Sequence, residues 1–138
     1  MIQLLSAFFG SLGFSLLYGM RRRYLFSASL GGICCWGVYL AAERFFESNF
    51  LSCLLAAAFA VIYAEFLAHR LKSPATLFVV PAVLPLVPGS SLYYAMDYAV
   101  HRQYEDARAF GSLTLESALA IAAGMSFVIA CRELHTKR

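Results

Sequence analysis

Charged side chains are scarce in this chain. Asp, Glu, Lys and Arg make up 14% of its 138 residues, where a soluble domain carries about 25%. With 61% of the residues hydrophobic, a core of this size cannot hide the apolar side chains. That excludes a water-soluble globular unit and points to an integral membrane protein read as one unit over 1–138. The net charge of +3 sits in small clusters between apolar runs. It reads as topology information and not as a nucleic-acid surface, so no nucleic acid is expected as a partner. No basic segment precedes the first apolar run and no small-residue cleavage pattern follows it, so no removable signal peptide is expected.

Metal-ligand spacing is also missing. The four cysteines are Cys34, Cys35, Cys53 and Cys131, without a C-x-x-C pair or a Cys/His arrangement. Cys34 and Cys35 are adjacent, which disfavours a normal disulfide. All four are expected to be small buried hydrophobes. His69, His101 and His135 stand singly. No cofactor and no metal is expected.

What is present is five apolar runs, at residues 2–18, 24–42, 50–68, 77–96 and 113–130. The fold class implied is an all-α bundle of about five transmembrane helices in a lipid bilayer. The connections sort by charge. Arg21, Arg22 and Arg23 fill the first, and Glu43, Arg44 and Glu47 the second. His69, Arg70 and Lys72 lie in the third. Arg102, Glu105, Asp106 and Arg108 lie in the fourth. Arg132, Glu133, Lys137 and Arg138 mark the tail. The basic excess on the first loop, the third loop and the tail predicts an outside N-terminus and a cytoplasmic C-terminus. A re-entrant hairpin in the fourth run would turn the basic tail outward, so five crossings fit the charges better. Ser6 and Gly10, Ser27 and Gly31, and Ala120 and Gly124 each stand four apart, a spacing that lets helices approach closely in lipid.

The fourth run is the unusual one. Pro81, Pro85, Pro88 and Gly89 interrupt twenty uncharged residues. Proline has no amide proton, so the carbonyls of Leu77, Pro81 and Leu84 lose their helical partners. Unsatisfied backbone at membrane depth is tolerated only against protein or a watery cavity. Two half-helices are expected, one from about Pro74 to Leu84 and one after Pro88-Gly89, the second capped by Ser90 or Ser91. The second half would turn free N–H groups and its positive dipole end inward, suited to a carboxylate. The freed carbonyls would suit a cation or an ammonium group. A β-branched residue at Gly89 is expected to crowd the break. A packed helix merely kinked by proline is the alternative, and it stays open. The candidate substrate-binding residues are Pro85, Pro88, Gly89, Ser90, Ser91 and Tyr93, with Tyr94 beside them. Glu65 and, near the outer face, Asp97 are the candidates for proton or ion coupling, with a plain interfacial role paired with Arg70 as the alternative for Glu65. Asp97 and Glu116 flank the outer face as possible exit-path or interfacial residues. No catalytic cluster is visible.

Two stretches, Leu71 to Phe78 and Val83 to Tyr93, resemble the threonine/serine exporter (ThrE) family, and more closely its small, separately encoded membrane subunit. The opening Leu12 to Tyr18 and the closing Ala120 to Gly124 fit as well. The most specific part is P-x-x-P-G-S followed by Tyr93. The resemblance implies a five-span unit in the bacterial cytoplasmic (inner) membrane that works with a larger ThrE-type subunit. It implies a secondary exporter of a small amino acid or organic acid: threonine, serine or a dicarboxylate such as succinate. The rival reading is a purely structural or assembly subunit. A membrane-embedded enzyme would need clustered polar catalysts that the chain does not offer.

Overall fold

A computed structural model describes residues 2–136. All its regular structure is helical: α1 (Ile2–Leu17), α2 (Arg22–Phe46), α3 (Asn49–Leu71), α4 (Thr76–Val83), a 3-10 turn (Leu84–Leu86), α5 (Gly89–Val100) and α6 (Tyr104–Thr136). Three helices, α2, α3 and most of α6, are long and apolar enough to cross a membrane. The bent pair formed by Thr76–Leu86 and Gly89–Val100, with 49° between its arms, makes a fourth candidate. α1 has 16 residues, about 24 Å of helix at 1.5 Å per residue, which is short of a hydrocarbon core of about 30 Å.

α2, α3 and α6 outrun the apolar patterns that announced them, α6 most of all. There the helix begins at Tyr104, nine residues before the expected run. Glu105, Asp106 and Arg108, expected in a loop, form its first turns. The acids lie at the N-terminal end, where the helix dipole favours negative charge. An apolar pattern registers only the lipid-facing length of a helix and not its polar extension. Lys137 and Arg138 of the basic tail lie outside the described residues.

The turns explain how neighbouring helices run antiparallel. Gly19 adopts φ +68, and the Met20 N–H reaches back to the Ser15 carbonyl at 3.2 Å, closing α1 with a left-handed cap. Glu47 and Lys72 take the same left-handed conformation after α2 and α3. Each donates its N–H to the carbonyl four residues back.

α3 is the central helix, packing against α2, α4 and α6, while α5 packs chiefly on α6. The packing face of α3 is a ridge of alanines: Ala56, Ala57, Ala60 and Ala64 are all fully buried. Small residues there let helix backbones approach, which is how helices associate where lipid is as apolar as the side chains. Of the three expected small-residue pairs, Ala120 and Gly124 bear this out. Both are buried, and a Cβ on Gly124 would collide with the Leu54 carbonyl of α3. Gly31 fits against Tyr63 and Ala82. The pair Ser6 and Gly10 does not pack: Ser6 is exposed, and nothing lies within 4 Å of a Cβ on Gly10.

Cysteine placement differs from expectation at one end. Cys35 and Cys53 are buried and Cys34 is half-buried, but Cys131 is exposed on α6. It falls outside the narrow buried stripe of that helix, made of Ser117, Ala120, Ile121 and Gly124.

Candidate functional site at the helix break

The break lies at Val87 and Pro88. Pro81 is carried inside α4, and Pro85 sits in the 3-10 turn. Val87 is extended (φ −61, ψ 122), and Pro88 has φ −77 and ψ 56. Those last angles define an inverse γ-turn, closed by the Gly89 N–H on the Val87 carbonyl at 2.8 Å. α5 starts directly at Gly89, with Pro88 in the N-cap position and no side-chain cap. This corrects the expectation that Ser90 or Ser91 caps the helix. Both serines lie inside its first turn, where backbone N–H groups have no intrahelical acceptor.

The freed carbonyls correct a second expectation. The Pro81 carbonyl is not available to a solute, because the buried Ser11 hydroxyl of α1 donates to it at 2.9 Å. The Leu84 carbonyl accepts the Val87 N–H at 3.2 Å. The protein thus satisfies the carbonyls of Pro81 and Leu84 itself and leaves the donor side open.

That donor side faces a cavity of about 200 Å³. Pro85, Leu86, Val87 and Pro88 form one wall, with Ser90 and Ser91 at the start of α5. Trp36 and Tyr39 come from α2, Asn49 and Cys53 from α3, and Leu113 and Ser117 from α6. A hydrogen-bond chain crosses it. The Tyr39 hydroxyl donates to Asn49 Oδ1 at 3.2 Å, and Asn49 Nδ2 donates to Ser117 Oγ at 2.9 Å. Ser117 in turn donates to the Leu113 carbonyl at 2.9 Å. Among the described residues, no Asp, Glu, Lys, Arg or His lines the cavity. Its polarity comes from hydroxyls, one amide and the positive end of the α5 dipole.

Pro85, Pro88, Ser90 and Ser91 are therefore brought together as expected. Gly89 lies between them but contributes no wall, and a Cβ there would meet nothing within 4 Å. The expected crowding by a β-branched residue has no structural basis. Tyr93 lies outside the cavity and is 66% exposed. Tyr94 instead lies tilted against Tyr98 and Phe110, its ring centroid 5.5 Å from that of Phe110. Asp97 also lies outside, 3.4 Å from His101 Nδ1.

Asn49, Ser117, Trp36 and Tyr39 were not anticipated. A signal for two of them existed. Ser117 stands three and seven residues before Ala120 and Gly124, on the same helix stripe. Asn49 stands in register with Cys53, Ala56 and Ala60. Polar residues on a small-residue stripe face protein and not lipid.

Glu65 sits elsewhere, about 16 residues along α3 from Asn49, or about 24 Å. Its Oε1 lies 2.7 Å from Arg132 Nη1 of α6, so its partner is Arg132. Arg70 instead lies over the Phe66 ring, 5.3 Å from the centroid. A second polar cavity, of about 290 Å³, opens beside that ion pair, with His69 and Ser73 on its wall. Among the described residues, no three His, Cys, Asp or Glu side chains come together as metal ligands do.

A family model described as "Threonine/Serine exporter, ThrE" matches residues 3–131. No curated protein and no solved structure matches the chain.

Proposed function

The chain belongs to the threonine/serine exporter family, a transporter family and not an enzyme family, and from that premise we propose that the cavity at Pro88 is its solute site. The observation that carries the proposal is the open donor side of the break. The carbonyls at Pro81 and Leu84 have internal partners, while the first turn of α5 is uncapped and borders the polar cavity. A solute carboxylate would take the N–H groups of Ser90 and Ser91. Asn49, Ser117 and Tyr39 would meet a hydroxyl or an ammonium group. Transporters place solute at broken helices in the same manner.

The lining favours a neutral zwitterion such as threonine or serine over a dicarboxylate such as succinate. A dianion taken out of water needs paired cations, and no basic side chain lines this cavity. The chain would act as one transmembrane unit in the bacterial cytoplasmic membrane, N-terminus outside, together with a larger ThrE-type subunit. The exposed apolar faces of α5 and α6, including Leu92, Met96, Leu115 and Leu119, are compatible with such a neighbour. They equally suit the rival reading of an assembly subunit.

Energy coupling would run through Glu65. Proton uptake there breaks the ion pair with Arg132 that ties α3 to α6. Asp97, beside His101, is the second candidate on the outer side.

An efflux assay with labelled threonine tests the site. Asn49→Ala is expected to lower export at least tenfold with normal membrane levels. Unchanged export would assign solute binding to the partner and leave this chain an assembly role. Glu65→Gln is expected to flatten the pH dependence of export while leaving membrane levels near wild type. A pH profile identical to wild type removes Glu65 from coupling.

A further inference from the structure

Trp36 is the only tryptophan of the chain, and its indole Nε1 is sealed from solvent without a hydrogen-bond partner. Buried polar groups are nearly always paired, so an unpaired donor asks for a reason. The surroundings supply one. Trp36 lines the polar cavity of about 200 Å³ and also a second cavity of about 320 Å³, which it shares with Ile2, Gln3, Ser6 and Ala7 of α1. Pro85 is the other residue common to both walls. Trp36 and Pro85 border both spaces, the position that a partition between them would occupy.

The two halves of that partition differ in freedom. Pro85 is fixed in the 3-10 turn. The Trp36 ring is held by side-chain torsions and by stacking on Tyr39, at 4.9 Å between centroids and 22° between planes. Tyr39 is itself tied to Asn49. A rotation of the indole would join the cavities and turn its N–H toward whatever occupies them.

We propose that Trp36 is both the door between these cavities and a solute-binding donor. Its ring closes the partition when the polar cavity is empty. Its N–H donates to a carboxylate oxygen of the solute when the cavity is filled. An indole donates and does not accept, so it selects an oxygen acceptor and ignores an ammonium group. This rests on the reading of the polar cavity as the solute site, and adds to it the residue that controls access.

The lone tryptophan is its own reporter. Emission from the purified full-length chain is expected to change saturably on titration with L-threonine or L-serine. It should change far less with succinate. In native membrane vesicles, Trp36→Phe keeps the ring and removes the proton. The half-saturating concentration for threonine export should rise about tenfold and the maximal rate stay within twofold. Trp36→Ala removes the door, and downhill leak of labelled threonine should rise. An emission spectrum indifferent to every solute, or a half-saturation unchanged by Trp36→Phe, overturns the proposal. If Asn49→Ala impairs export while Trp36→Phe does not, the role of Trp36 alone falls. If neither does, the cavity falls with it.

Discussion

The two arms of the broken helix differ in both composition and surroundings: α4 is almost wholly apolar, while α5 carries Ser90, Ser91, three tyrosines and Asp97. α4 packs against α1, α2 and α3 and buries Phe78, Pro81, Ala82 and Val83. α5 is half as long again, packs chiefly on α6 and buries no residue at all. Phe78 meets the Tyr24 ring edge-on, 5.9 Å between centroids, inside the bundle. Leu92, Tyr93, Met96 and Val100 point away from it. A prolyl break thus divides one apolar run into an arm that is anchored and an arm that is held mainly by a single helix. The anchored arm fixes the cavity wall, and the lightly held arm presents its free donors to it.

The largest expected effect tests the anchored arm. Phe78→Ala should cost about 3–5 kcal/mol of stability, as deletions of fully buried aromatic rings do. Thermal unfolding in detergent checks this. Tyr93→Ala on the other arm should leave the melting temperature nearly unchanged, and an equal loss would break the contrast.

Next comes Ser11→Ala. It strands the Pro81 carbonyl in an apolar interior, with an expected cost of about 1–3 kcal/mol in the same melting experiment. A neutral outcome would mean that the carbonyl finds another donor.

Ser90→Ala with Ser91→Ala should act in the opposite sense. Neither serine makes a capping bond, so folding should survive. Alanine keeps the backbone N–H groups that would hold the carboxylate, so export should drop no more than severalfold, through loss of the hydroxyls at the cavity. A loss as large as that of Asn49→Ala would show that the hydroxyls, and not the backbone donors, hold the solute.

Gly89→Ala is expected to do least. A Cβ there has open space, and alanine is the better helix former by up to about 1 kcal/mol. Stability should hold or rise slightly, and export should stay near wild type. Abolished export in a well-folded variant would show that solute passes in contact with the Gly89 backbone.

Much of this was readable beforehand where one residue type carries one physical constraint. Proline removes an amide wherever it occurs, so the interruption near Pro88 was visible from composition alone. The short link between α5 and α6 was not. Charged residues such as Glu105 and Arg108 form helix as readily as they form loop, and only the backbone decides between the two. Nor was the fate of the Pro81 carbonyl legible, because its donor, Ser11, stands 70 residues away. Residues that distant meet only through packing.

Scarce charge and apolar runs of spanning length were enough to establish a helical membrane protein, since water does not accept so much exposed apolar side chain and a barrel strand needs only about 9–11 residues. The prolines established that one helix could not run unbroken. Which polar groups gather at that interruption was decided in three dimensions. Asn49, Ser117, Tyr39 and Trp36 come from three different helices, and their meeting depends on how close an alanine ridge and Gly124 let those helices approach.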